Sequence, residues 1–428
     1  MQPRNHATHK FHPSIFREYD IRGIFGETLF AQDAYHIGLA YAALVKKGRI
    51  CVGFDGRLSS PELSEQLIRG LADGGIMVTG SHNPGNHNGF KIMLGKESLF
   101  GDDIRALASV TGHGSRVTGK IENIDLQKEY LEKILSPITR DPRPKIGFDP
   151  GNGAAADVAS VIAKKLNGKI INEKIDGNFP AHHPDPTVEE NLEQLKELVL
   201  KNKLDVGFAF DGDGDRVGVV DNLGRPIWGD QILAILSKDV LKKYPGAPII
   251  ADVKTSQAVF DYIAKLGGRP VMWKTGHSLV KAKMKELNSP LAGEMSAHIF
   301  IKDNYFGYDD GIYAALRFLQ VMQNSGKTSA ELLDELPKMF STPEIRIAVA
   351  EEKKFAIVAE VRAALEKDGV EFSDIDGVRV NNANGWWLLR ASNTGGYLVA
   401  RCEGKTPDDL KKLEAELKSY LSKSGMKT

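Results

Sequence analysis

Ile146-Gly-Phe-Asp149 is a short apolar run that ends on a carboxylate, and the same run stands twice more, as Cys51-Val-Gly-Phe-Asp55 and Ile249-Ile-Ala-Asp252. Each is followed by a loop and an amphipathic stretch, the pattern of a strand, an acidic loop and a helix. The three aspartates lie about 100 residues apart, a domain-sized interval, so the chain reads as three similar mixed α/β domains in tandem. Strands alternating with helices need crossovers, so the sheets should be mostly parallel and bind ligands beyond the carboxyl ends of their strands. The tail breaks the pattern. A helix at about 352–369, three strands within about 376–402 and a closing helix from Asp408 to Leu421 predict a smaller C-terminal α+β domain. The expected domains are 1–124, 125–226, 227–338 and 339–428, arranged around one central cleft.

A chain of 428 residues exceeds the usual size of one hydrophobic core, which agrees with several domains. Lys plus Arg and Asp plus Glu both number 56, so no global field draws the chain to nucleic acid or to an acidic membrane. An anionic ligand must be held locally. No stretch approaches the roughly 20 apolar residues of a membrane span, and the opening Met1-Gln-Pro-Arg-Asn-His-Ala-Thr-His-Lys10 has no apolar core. Cys51 and Cys402 each fall in a run that reads as a buried strand; far apart in sequence, they predict no disulfide framework and suit a reducing, cytoplasmic compartment.

Asp211-Gly-Asp-Gly-Asp-Arg216 follows the apolar run Val206-Gly-Phe-Ala-Phe210. Three carboxylates at alternate positions of one turn repel one another without a cation, and oxygen-only ligands suit a hard ion such as Mg²⁺. An EF-hand loop would have Gly at its sixth position and Glu at its twelfth, where this chain has Arg216 and Asn222, and a strand instead of a helix precedes. The plain alternative is an Asp/Gly turn, since Arg216-Val-Gly-Val-Val220 also reads as a strand. Ile76-Met-Val-Thr-Gly-Ser-His-Asn-Pro84 runs from a buried strand into a tight turn with Ser81 at its tip, a candidate nucleophile beside His82 and Asn83. The same residue types serve ordinary turns and helix caps. A hydrolase elbow, Gly-x-Ser-x-Gly, is absent. Gly293-Glu-Met-Ser-Ala-His298 offers a carboxylate, a hydroxyl and an imidazole for sugar hydroxyls and proton transfer, or else a polar edge strand. Arg390-Ala-Ser-Asn-Thr-Gly-Gly396 combines a guanidinium, two hydroxyls, an amide and flexible backbone, the makings of a phosphate clamp or of a plain turn between strands.

Present together and in this order, the four segments closely resemble the α-D-phosphohexomutases, specifically the bacterial phosphomannomutase/phosphoglucomutase branch, from about Phe16 to the C-terminus. The resemblance implies an isomerase of carbohydrate metabolism, serving nucleotide-sugar and polysaccharide biosynthesis and acting as a monomer on small hexose phosphates. It would interconvert mannose 6-phosphate with mannose 1-phosphate, and the glucose pair likewise, through a phosphoserine and a hexose 1,6-bisphosphate that is both intermediate and primer. The phosphoryl carrier would be Ser81, with Mg²⁺ held by Ser81, Asp211, Asp213 and Asp215. Sugar recognition would fall to Glu294, Ser296 and His298, and the distal phosphate to Arg390, Ser392, Asn393 and Thr394. Further family contacts match Tyr19, Arg22, Lys91, Arg216, Lys254, Gly276 and His277. Lys91 and His298 would be general acid and base, with Arg22 and Arg216 steadying the serine phosphate. His87 reads as a solvated loop residue. Met295 resembles the mannose/glucose branch, since glucosamine mutases usually carry Gln there, and Ala297 replaces the family's usual Gly. A phosphosugar phosphatase, or a catalytically impaired phosphosugar-binding homologue, would share part of this set.

The first repeat is short. From its opening aspartate to the functional loop, the second repeat runs from Asp149 to Asp211 and the third from Asp252 to Glu294, but the first only from Asp55 to Ser81. Between a helix at Pro61–Leu71 and the strand at Ile76 stands only Ala72-Asp-Gly-Gly75, where the second repeat fits a strand at Lys169–Asn172 and a helix at Val188–Leu200. The family resembled has roughly thirty more residues here, enough for one βα unit. The first sheet is therefore expected to lack a parallel strand, to leave apolar surface uncovered, and to carry Ser81 displaced from the metal loop, with weak or absent turnover.

Overall fold

In the computed structural model of the protein, the described residues are 9–44, 50–68, 74–95, 97–109, 121–136, 138, 144–393 and 395–426. They fall into two compact units, Met1–Pro226 with Asp310–Leu316, and Ile227–Asp309 with Arg317–Thr428. Among the described residues no helix is long and apolar enough to cross a membrane.

The first unit holds two sheets. In one, β1 (Ile21–Ile24), β2 (Ile50–Phe54), β3 (Gly74–Val78) and β4 (His87–Leu94) lie in the order β1-β4-β3-β2, with β5 (Glu97–Ser98) beside β4. β2 and β3 are parallel, pairing Cys51 with Gly75 and Phe54 with Val78. β4 runs antiparallel to both of its long neighbours. In the other sheet, β6 (Ile146–Asp149), β7 (Lys169–Ile170), β8 (Val206–Phe210) and β9 (Val217–Asp221) take the order β9-β8-β6-β7. β6 is parallel to β7 and β8, and β9 is antiparallel to β8. Every residue of β6, β8 and β9 is buried, as continuous apolar strands in a sheet covered on both faces should be. Helices Ala156–Leu166 and Glu193–Asn202 supply the crossovers, each ended by a residue in the left-handed region, Asn167 and Lys203.

Set beside the second sheet, the first lacks one element. β7 lies outside β6, whereas β2, the counterpart of β6, has no outer neighbour among the described residues and ends its sheet there. Helix Ser60–Ile68 leads towards β3 with residues 69–73, including the expected helix end at Leu71, outside the described ones. The missing βα unit is thus a strand beyond β2 and one crossover helix. The two faces of the sheet differ. Ile76, Val78, Phe90 and Ile92 enter one buried cluster with Ile37 and Tyr41 of helix Ala31–Leu44, Leu63 and Leu67 of helix Ser60–Ile68, and Ile104 and Leu107 of helix Asp102–Ser109. Their alternate neighbours Met77, Lys91 and Met93 stay partly exposed. Cys51, expected inside a buried strand, is exposed, because β2 is an edge and the cluster's helices all pack on the other face.

The second unit carries the complete repeat. Strand Pro248–Asp252 is flanked in parallel by Arg269–Trp273 and Leu291–Gly293, and Ile299–Ile301 closes the far edge antiparallel. The tail forms an antiparallel sheet of Val378–Asn382, Gly385–Ala391 and Tyr397–Gly404, with two short strands, Phe340–Ser341 and Ile345–Ala348, both on the last. The two short strands escape sequence reading because their residues are largely exposed and carry little alternation. Helices Lys354–Lys367 and Pro407–Lys423 cover one face through Val361, Leu365, Leu413 and Leu417, which pack with Trp387. Trp386, one position earlier, turns to the opposite face and packs on Val253.

Candidate active site

In the first unit, the turn after β3 and the loop after β8 meet. Ser81 is 1% exposed, and its hydroxyl donates to Asp211 Oδ2 at 2.9 Å. The expected displacement of Ser81 from the Asp loop does not occur: the serine turn is hydrogen-bonded to the carboxyl end of β2, where Asp55 Oδ2 accepts from Thr79 Oγ1 and the Gly80 N–H. Gly212 has to be glycine here, since a Cβ on it would stand 2.3 Å from the Ser81 carbonyl oxygen. The backbone N–H groups of Gly214 and Arg216 both donate to Asp211 Oδ1 at 3.1 Å, and Arg216 Nε lies 3.7 Å from Asp211 Oδ2. Asp211, Asp213 and Asp215 each offer a carboxylate oxygen, all within 4.8 Å of one another. Burial first, then the charges of Asp213 and Asp215, raise the Asp211 carboxyl well above the usual carboxylate range. The Lys91 ammonium stands where two of these carboxylates converge, 2.7 Å from Asp213 Oδ2 and 2.5 Å from Asp215 Oδ2. A loop that gathers an ammonium onto carboxylate oxygens, with a third carboxylate alongside, fits a hard divalent cation. Arg22 Nη2 is 2.5 Å from Asp20 Oδ2, and its Nη1 reaches Asn83 Oδ1 at 3.3 Å, which places it against the serine turn. Tyr19 is buried just before β1. His87 begins β4, half-buried, where burial first and then Arg57 and Arg22 lower its imidazole pKa.

In the second unit, Glu294 is 1% exposed and accepts from the Gly276 N–H at 2.6 Å. Gly276, at φ +131°, opens helix His277–Leu287. Burial is the main cause that raises the Glu294 carboxyl, with Asp252 adding to it and His298 opposing. His298 Nδ1 is 3.1 Å from Asp309 Oδ2, and its ring is 5.9 Å from that of His277. Although burial opposes it, Lys281 leads the groups that hold Asp309 well below the usual range, so it is a carboxylate beside His298. Ser296 is half-buried at the tip of the turn, and Ala297 takes φ +70°, a region in which Gly is unstrained, which accounts for the glycine usual at this point. Lys254 Nζ pairs with Glu344 Oε2 at 3.1 Å. Arg390 Nε donates to Asp376 Oδ2 at 2.9 Å, and the same oxygen accepts from Thr275 N–H at 3.1 Å. Ser392 Oγ accepts from Gly395 N–H at 3.1 Å, with Asn393 beside it; Thr394 lies outside the described residues.

Arranged along the chain, these loops match one known set of domains. The phosphoglucomutase/phosphomannomutase alpha/beta/alpha domain II profile covers residues 128–224, domain III 228–340 and the C-terminal domain 344–419, while domain I matches in two pieces, 13–75 and 71–109. The chain belongs to the phosphoglucomutase/phosphomannomutase family. Among its relatives is the phosphomannomutase/phosphoglucomutase of Pseudomonas aeruginosa, 42% identical over 95% of each chain. That alignment runs to 441 positions against the 428 residues here, so the relative has residues this chain lacks. A phosphoglucomutase of Neisseria gonorrhoeae is 39% identical over 95% of this chain and 96% of its own. A crystal structure of a phosphoglucomutase/phosphomannomutase family protein from Burkholderia thailandensis superposes with TM-score 0.90 at 37% identity, covering 97% of this chain and 98% of that one.

Several side chains that hold these family loops carry no motif signal of their own. Arg379 is buried on the Trp386 ring at 3.8 Å and donates to the carbonyls of Val253 and Thr255, bracketing Lys254. Arg401 Nη1 donates to the Lys254 carbonyl at 2.5 Å and reaches Met295 Sδ at 2.7 Å. Both sit in strands whose apolar neighbours hide them, and only an arginine interrupting an otherwise buried strand could have marked them.

Proposed function

We propose that the chain is a phosphohexomutase that interconverts mannose 6-phosphate with mannose 1-phosphate and glucose 6-phosphate with glucose 1-phosphate. The observation that carries the reading is Ser81, in the left-handed turn after β3, within hydrogen-bond reach of the metal-type Asp211 loop. By their names, the Pseudomonas aeruginosa relative is a mutase of both sugar phosphates and the Neisseria gonorrhoeae relative a mutase of the glucose pair.

In this reading Ser81 rests as phosphoserine. A bound hexose 1-phosphate presents its 6-hydroxyl to the phosphorus; the new P–O bond forms as the bond to Ser81 Oγ breaks, and the hydroxyl proton passes to His298 as general base, with Lys91, an ammonium, as the general acid. The resulting 1,6-bisphosphate turns over, Ser81 Oγ attacks the 1-phosphoryl group, the bond to the C1 oxygen breaks, and hexose 6-phosphate leaves. A magnesium ion held by Asp211, Asp213 and Asp215 supplies charge neutralisation at the transferring phosphoryl group. Arg22 and Arg216 steady the phosphate on Ser81, with Tyr19 beside them. Lys254, Gly276, His277, Glu294 and Ser296 read the sugar, and Arg390, Ser392, Asn393 and Thr394 take the phosphate that is not reacting. Glu294 suits hydroxyl recognition because it is buried and aimed by one backbone N–H.

Domains bounded at 124, 226 and 338 carry these parts in turn, in a protein we place in the cytoplasm as a monomer acting on small hexose phosphates. Two free cysteines among the described residues agree with a reducing compartment. A phosphatase would need no separate clamp at Arg390, and an impaired binding homologue would need no serine held against Asp211. The test is a coupled assay on mannose 1-phosphate and glucose 1-phosphate, with and without a hexose 1,6-bisphosphate primer. Turnover of both sugars stimulated by primer supports the mutase; release of inorganic phosphate at a comparable rate would replace it with a hydrolase.

A further inference from the structure

The shortened first domain should have been free to lose the position of Ser81, yet Ser81 sits at φ +50°, in a conformation that side-chain-bearing residues avoid, with its hydroxyl on Asp211. Something over-determines that turn. The side chain that does so is Arg57, 1% exposed, two residues beyond the end of β2's acidic loop at Asp55. Its Nε donates to Asp55 Oδ2 at 3.0 Å. Nη1 donates to the carbonyls of Pro84 at 2.6 Å and His87 at 3.2 Å, and Nη2 to those of Ser81 at 2.6 Å and Asn83 at 2.7 Å. A guanidinium has five N–H donors, and here all five are taken.

This saturation decides what Arg57 can do. It has no donor left for a phosphate, so it is a positioning residue and not a ligand. Asp55 completes the frame: it accepts from Thr79 Oγ1 at 2.7 Å, and Thr79 Oγ1 in turn accepts from the Ser81 N–H at 2.8 Å. Gly80 lies flat on the guanidinium, since a Cβ there would be 2.7 Å from Arg57 Cζ. On the other side the Phe179 ring stands 5.2 Å from Cζ, and a Cβ on Gly177 would be 2.7 Å from Arg57 Cα, so the same arginine is seated against the domain that carries the Asp loop.

We propose that Arg57 is the residue that sets the phosphoryl-carrying serine against the Asp loop, and that it lets this chain dispense with one βα unit of its first domain without displacing Ser81. The proposal rests on the mutase reading. Lysine cannot substitute, because an ammonium has three donors and no planar fork to span four carbonyls.

The test compares wild type, Arg57→Lys and Arg57→Ala in the primed coupled assay, with phosphate uptake from hexose 1,6-bisphosphate followed by intact mass. Both variants should lose about 100-fold in kcat and in the rate of phosphate uptake, the scale expected when a reacting atom moves by an ångström, with KM changed by less than about threefold. Methylguanidinium should restore at least about tenfold of the lost rate to Arg57→Ala, and nothing to Ser81→Ala, a rescue that general loosening of the fold would not give. Should Arg57→Ala fail to fold, Gly80→Ala, which keeps the charge and crowds the guanidinium, should show the same slow uptake. Arg57→Lys or Gly80→Ala taking up phosphate at the wild-type rate overturns the proposal while leaving the mutase intact. A wild type that neither turns over nor takes up phosphate overturns the mutase reading itself.

Discussion

Replacing Glu344 by Gln removes the charge that holds Lys254. Lys254 Nζ lies 3.1 Å from Glu344 Oε2 and 4.0 Å from Asp252 Oδ2, with the Lys254 side chain 8% and the Glu344 side chain 23% exposed. Attraction to Lys254, against the cost of burial, lowers the Glu344 carboxyl from the usual 4.5 to about 2. At about 1.4 kcal/mol per pKa unit, that shift favours the folded chain by about 3 kcal/mol at neutral pH. The direction is that of a depressed carboxyl: the contribution is complete above the unfolded value of 4.5 and is lost as pH falls through about 2. Urea unfolding read by tryptophan fluorescence suits the question, because Trp386 and Trp387 report on the same C-terminal sheet. At pH 7 Glu344→Gln should be less stable by about 3 kcal/mol, and at pH 4 the gap should narrow by about 1 kcal/mol as the wild type begins to lose its share. KM for hexose 1-phosphates should rise with it, since Lys254 loses its anchor. A variant as stable as wild type at pH 7, or a gap that stays constant down to pH 4, refutes the pairing as a source of stability.

Asp213→Asn should reduce turnover by at least about 100-fold with little change in thermal midpoint, because it removes a cation ligand from a loop held by Asp211 and backbone; full activity in excess chelator contradicts the metal role. Arg390→Ala should weaken 1-phosphate and 6-phosphate sugars alike, measured as parallel rises in KM, and a loss confined to one isomer argues for a single fixed orientation. In the first sheet, Ile76→Ala should cost about 2–4 kcal/mol in urea unfolding, the price of a cavity, whereas Met77→Ala on the partly exposed face should cost about 1 kcal/mol or less. Equal costs would mean that the second face is covered after all.

The tandem domains were legible because three apolar runs ending in Asp55, Asp149 and Asp252 recur at a domain-sized interval, and the missing βα unit was legible as a short count from Asp55 to Ser81. The consequence drawn from that count was not. Displacement of Ser81 follows only if the crossover fixes the turn, whereas the turn is gripped by Arg57, whose role depends on five contacts that no linear pattern records. Cys51 misled for a related reason: its apolar run looks buried, but exposure is decided by the neighbour that β2 lacks among the described residues. Side chains with motif partners, such as Asp211, Glu294 and Arg390, were readable from composition at close spacing. Their supports, Asp309, Glu344, Asp376, Arg379 and Arg401, lie outside the motifs, the arginines and Glu344 in distant segments, and are visible only once the sheets are formed.

The central claim, that Ser81 carries the phosphoryl group in spite of the shortened first domain, is tested most directly by labelling. The purified protein is exposed to a hexose 1,6-bisphosphate bearing radioactive phosphate; one portion is digested and mapped, and a second, left intact, is chased with unlabelled hexose 6-phosphate. The label should appear on the peptide containing Ser81, be absent from Ser81→Ala, and leave during the chase as bisphosphate. Label on another residue, or a wild type that stays unlabelled, contradicts the account.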